Sequence, residues 1–146
     1  MPGPRRTRAR VVDALPDLPL ARRLLDQAER HLASAAVEGV DRDSRFGLLY
    51  DAARKAADAT LRTAGRRVTQ GPGHHVAFIS EAKRLLGPDH AELWVQVEAA
   101  RSIRNDMEYR AREVSESELG SFEVAAEKAV TAAREYLTNR EKAAGS

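Results

Sequence analysis

Apolar residues in this chain return every three or four positions, and no stretch alternates with the period of two that a half-buried strand needs. Across residues 18–37 the steps fall on Leu20, Leu24, Ala28, Leu32 and Ala35, and across 43–64 on Leu49, Ala53, Ala56, Thr60 and Ala64. From residue 89 a stripe of Leu93, Val97, Ala100, Ile103, Met107, Ala111 and Val114 marks a helix to about 112. Phe122, Ala126, Ala129, Ala133 and Leu137 mark another over 115–140. A shorter apolar segment fills 75–86, between "GRRVTQGPGHH", which reads as a loop, and "GPD". Gly39 and Gly65 stop the first two helices, and Asp43 or Ser44, Asp89, and Ser115 or Ser117 are suited to start the others. Ser115 followed by Glu118 has capping-box spacing. Short connections make sequential helices antiparallel neighbours. The expected fold is all-α, an up-and-down bundle of four long helices plus one short helix over residues 20–140, with 141–146 frayed.

A chain of 146 residues is the size of one domain and buries about two thirds of its unfolded surface. No apolar run approaches the roughly 20 residues of a membrane span, and no apolar signal core follows the basic start. Cysteine is absent, which excludes disulfides, thiolate zinc sites and cysteine nucleophiles and agrees with a reducing compartment. The expected location is cytoplasmic, without membrane contact. With 24 basic and 22 acidic residues the net charge is +2, so any nucleic-acid contact must come from a local patch. Residues 1–19 hold four prolines with Arg5, Arg6, Arg8 and Arg10. They read as a flexible basic tail, either merely solvated or an arm that grips phosphate by charge alone.

The stretch "RSIRNDMEY" sets two arginines, an asparagine, two acids and a tyrosine into nine helical residues. At about 100° per residue, Arg104 lies at the edge of the core stripe. Arg101, Asn105, Glu108 and Arg112 lie next round, with Tyr109 beyond them. Arg104 and Glu108 are four apart and can pair. Trp94 falls on this polar side, which assigns it to a contact with another helix or to a dimer interface. Two readings stand together: a buried polar network holding the fourth helix against the second and fifth, and a pocket whose guanidinium forks face phosphate oxygens.

Taken with "YDAARKAADATLRTAGRRVTQGPGHHVAFISEAKRLLG" and "EKAVTAAREYL", this stretch resembles the HEPN superfamily of nucleotide-binding helical domains over about residues 21–137. Three features carry the resemblance: the tyrosine-alanine start of the second helix (Tyr50 to Ala53), the loop histidine (His74 or His75), and the Arg104–Asn105 pair. It implies a helical bundle, usually a homodimer whose arginine motifs face each other. Many members are metal-independent ribonucleases of toxin–antitoxin or defence systems. Others bind nucleotides, nucleic acid or a nucleotidyltransferase partner without cleaving. Active members place a histidine four to six residues beyond the arginine. Here Tyr109 stands five beyond Arg104 and Arg110 six beyond.

That departure bears on chemistry. Cleavage through a 2′-hydroxyl needs proton transfer near neutral pH, which histidine provides best and tyrosine, with a pKa near 10, provides poorly. His74 and His75 can supply an imidazole only if their loop folds onto the fourth helix. His31 and His90 show no ligand spacing, and Asp89, His90 and Glu92 fit a helix start better than a metal site. The leading expectation is a dimeric module that binds RNA, a nucleotide or a protein partner, without metal or cofactor and without efficient catalysis. Its expected ligand-binding residues are Arg101, Arg104, Asn105, Glu108, Tyr109, His74 and His75, with Arg104, His75 and Tyr109 as the catalytic candidates. The alternatives are a ribonuclease toxin acting beside an antitoxin and a helical partner subunit of a nucleotidyltransferase.

Overall fold

Alanine favours helix and carries little bulk, so an alanine-rich helix can be approached from several sides. The computed structural model describes residues 7–145 and places such a helix, α2 (Arg42–Ala64), at the centre. Ala52, Ala53, Ala56, Ala57 and Ala59 have no exposed surface, and neither has Phe46 or Leu61. Helices α1 (Leu18–Ala35) and α5 (Glu116–Ala144) pack most heavily on α2. Helices α3 (His74–Leu86) and α4 (Ala91–Arg110) also touch it. The buried threonine hydroxyls of α2, on Thr60 and Thr63, donate to the carbonyls of Ala56 and Ala59 and so remain satisfied. Each helix also packs on the next in sequence. The all-α bundle of four long helices and one short one is therefore as expected, and Phe122, Ala126, Ala129, Ala133 and Leu137 all face its core.

The ends differ in instructive ways. The cap of α2 is Asp41, whose carboxylate accepts from Ser44 N, while Asp43 accepts from Val114 N across the bundle. The capping box of Ser115 and Glu118 forms as the spacing implies. A 3₁₀ turn, Pro88–His90, precedes α4. Helix α4 ends at Arg110 because Ala111 takes a left-handed conformation, φ 53°. Ala111 is accordingly exposed, and Val114 is buried from the linker rather than from the helix stripe. Helix α5 continues through Ala144, past the point where fraying was expected, and Arg22 of α1 reaches Glu141 at 2.7 Å.

Residues 11–13 and 66–68 were expected to lie in a flexible tail and a loop. They pair instead as antiparallel strands β1 (Val11–Asp13) and β2 (Arg66–Val68), with Val11 opposite Val68. Around them Ala9 N donates to Pro72 O, Thr69 N to Arg10 O, and Ala14 N to Gly65 O. Three-residue strands are too short for alternation to show. Arg5 and Arg6 lie outside the described residues.

Trp94 requires a second correction. It is fully buried within the single chain, so it has no surface to offer a dimer interface. Helix α4 contacts α2, α3 and α5, and three neighbours cover more of its circumference than one stripe. Among the described residues no helix is long and apolar enough to cross a membrane.

Candidate functional site

Three segments meet around a cleft of about 650 Å³: the first half of α2, the turn into α3, and the second half of α4. The alanines of α2 give way on this side to Tyr50, Asp51 and Arg54, at spacings that put them on one wall. Gly71 and Gly73 carry the chain into α3, where His74 and His75 form the second wall. Arg101, Arg104, Asn105, Glu108 and Tyr109 of α4 complete it. All seven residues expected to bind a ligand therefore line one cleft.

Their roles separate once partners are assigned. Arg104 is a pin between helices. Its Nη1 donates to Asp51 Oδ1 at 2.9 Å and to Gly47 O at 3.1 Å, and its guanidinium lies 5.4 Å from the centre of the Tyr50 ring. The pair foreseen with Glu108 is the longer contact, at 3.4 Å and more exposed. Arg101 engages Glu98 through Nε at 2.9 Å, not Asn105, and its Nη groups make no hydrogen bond among the described residues. Arg54 differs from both. It is half-buried and lines the cleft, yet it forms no hydrogen bond or ion pair among the described residues. Asn105, Glu108 and Tyr109 stand exposed at the rim, Tyr109 at 79%.

His75 is exposed, while its Nδ1 lies 3.3 Å from the hydroxyl of buried Tyr50. Partial burial holds its pKa below the ordinary 6.5, and the nearby cations Arg54, Arg104 and Arg101 lower it further. Burial pushes Tyr50 up to about 12, so its hydroxyl keeps its proton. His74 packs edge-on against Phe78, with ring centres 4.7 Å apart. The loop histidines thus do fold onto α4's cleft.

The remaining titratable candidates lie elsewhere. His31 sits half-buried on α1, its pKa lowered by burial and then by Lys55. His90 lines a separate cleft of about 800 Å³, together with Asp89, Glu92, Glu127, Lys128 and Glu135. Among the described residues no three histidine, aspartate or glutamate side chains gather so that they could hold a metal ion.

Sequence reasoning named Tyr50 only as a feature of the resemblance and missed Asp51 and Arg54 as site residues. No local signal separated them from the other polar side chains of α2, such as Lys55, Asp58 and Arg62. Comparison with models of protein families, with curated proteins and with solved structures gave no match.

Proposed function

We propose that the chain is a HEPN-like binding module whose cleft takes the phosphate of an RNA or nucleotide without efficient catalysis. Arg54 carries this reading. A guanidinium partly withdrawn from water without a counter-ion is costly, and a bound anion would remove that cost. Three guanidiniums face two carboxylates in the cleft, and Asp51 and Glu108 both lie on Arg104. The uncommitted guanidinium donors are those of Arg54, the Nη groups of Arg101 and Nη2 of Arg104, in the fork geometry that suits phosphate. The exposed ring of Tyr109 offers a face on which a base can stack. Calorimetric titration with uridine 5′-monophosphate tests the reading. Arg54→Ala should weaken binding at least about tenfold, because a hydrogen bond to a charged group contributes about 1.5–3 kcal/mol. Unchanged affinity would overturn the reading.

One observation favours the ribonuclease reading: His75 shares the cleft with the arginines, and burial lowers its pKa, which favours the neutral imidazole. That reading ranks second because Tyr109 stands five beyond Arg104, where the resemblance calls for histidine. The Tyr50 hydroxyl lies 3.3 Å from Nδ1 of His75, and the histidine tautomer sets which of them donates. In the tautomer that accepts at Nδ1, Nε2 carries the proton and is a donor to phosphate rather than a base. Metal-free cleavage of single-stranded RNA by the wild type, lost in His75→Ala, would reverse the ranking. The homodimer of facing clefts belongs to the same proposal. Tyr109 at the rim is the large ring that either a second copy or a base would cover.

A further inference from the structure

The N-terminal segment brings another arginine to the rim of this cleft. Hydrogen bonds from Ala9 N to Pro72 O at 2.8 Å and from Thr69 N to Arg10 O at 2.9 Å fix the two residues that follow Arg8. A third, from Arg10 N to Thr69 Oγ1 at 3.0 Å, completes the attachment. The segment is thereby laid over the turn that leads into α3. Glycine at two positions permits the approach. A Cβ at Gly71 would collide with the Thr7 carbonyl, and one at Gly73 would lie 3.3 Å from Nη2 of Arg8. Both glycines line the cleft. Arg8 itself is exposed and makes no hydrogen bond or ion pair among the described residues.

Cations that serve one phosphate converge on one point. Here Arg54 and the free Nη groups of Arg101 line the cleft itself, whereas Arg8 is not among its lining residues and lies outside it, beside Gly73 at its edge. Such a spread suits phosphates in series. We infer that Arg8 is a second phosphate contact. The ligand is then a single-stranded oligonucleotide whose backbone runs from Arg54 and Arg101 across Gly73 to Arg8, while a mononucleotide fills only the inner part. Single strands leave their bases free to stack, and Tyr109 stands exposed at the rim for that purpose. The inference rests on the anion-binding reading of the cleft.

The test compares a 3′-fluorescein-labelled uridylate decamer, followed by anisotropy across a salt series, with uridine 5′-monophosphate followed by calorimetry. Arg8→Ala should weaken decamer binding about three- to tenfold and reduce the slope of log K against log salt by about 0.7, the share of one phosphate on a single strand. It should leave the mononucleotide unaffected, and Arg8→Lys should keep the slope. Arg54→Ala should weaken both ligands. A deoxy decamer should show the same loss, since the contact is with phosphate; a loss confined to RNA would overturn that assignment. An Arg8→Ala variant with normal decamer affinity and slope, beside an Arg54→Ala variant that fails, would overturn the inference and leave the cleft reading standing. Equal losses for both ligands in Arg8→Ala would place Arg8 in a single-phosphate site and overturn the two-contact arrangement. No binding of either ligand by the wild type would remove the reading and the inference together.

Discussion

Arg54, Arg101 and Arg104 have the same side chain and three different jobs, set by their partners. Arg104 ties α4 to α2 through Asp51 and Gly47 O, so Arg104→Ala should cost about 1.5–3 kcal/mol of stability, the range for hydrogen bonds to a charged group. Arg101→Ala loses a half-exposed pair with Glu98 and should cost about 1 kcal/mol or less. Arg54→Ala removes no hydrogen bond or ion pair among the described residues and should change stability by less than about 0.5 kcal/mol while abolishing most phosphate binding. Denaturant melts of the three variants check the order, and equal shifts for Arg104→Ala and Arg101→Ala would contradict it. His75 adds a pH test. Its folded pKa lies below 6.5, so the unfolded chain takes up the proton first. The stability it contributes is complete above pH 6.5 and is lost as pH falls from 6.5 toward the folded value. Histidine NMR titration should place His75 below 6.5, and Arg54→Ala should raise it only in part, because burial is the larger cause.

At the level of elements, two turns set the frame of the cleft. Gly65 closes α2 in a left-handed conformation, φ 76°, and a Cβ there would lie 2.8 Å from Ala14 O. The carbonyl of Gly65 also accepts from Ala14 N, so one glycine both ends α2 and seats the chain that leads to β1. Ala111 performs the equivalent turn after α4 without glycine's freedom. A left-handed residue with a side chain costs about 1–2 kcal/mol, partly offset by glycine's extra unfolded-state entropy of about 0.5–1 kcal/mol. Ala111→Gly should therefore stabilise the protein by about 0.5–1 kcal/mol and raise Tm by roughly 2–4 °C in calorimetry. No gain would mean that the linker to α5 does not need this backbone geometry.

For the whole molecule, burial of Trp94 changes what its fluorescence can report. Emission should remain blue-shifted and resistant to iodide at every protein concentration, and should move to longer wavelength only with global unfolding. Dissociation of a dimer would have to be followed by sedimentation instead. A red shift on dilution at constant helix content would contradict the single-chain burial. Glu81 is a second global fastener. It is 8% exposed, and its carboxylate, held below the usual range first by Arg84 and then by Arg66, joins α3 to the β2 strand. Its contribution is present above the unfolded glutamate value near 4.5 and is lost as pH falls through the lower folded value.

Helix number, class and most inner faces were decided by local order along the chain. Periodicity reports which side of a helix is apolar, and in α5 every one of the five expected positions is buried. Five of the seven clustered candidates were legible because helical spacing along α4 is also a local property, while His74 and His75 were named through the family resemblance. Tertiary structure decided the rest. Trp94 is buried because α4 has three neighbours, which no single-helix projection can count. Asp51 became the closer partner of Arg104 across 53 residues, at 2.9 Å against 3.4 Å for Glu108, because proximity in a bundle is independent of sequence distance. The β1–β2 pair, and with it the position of Arg8 beside Gly73, exists only when two three-residue segments meet, and neither carries enough residues to announce a strand alone.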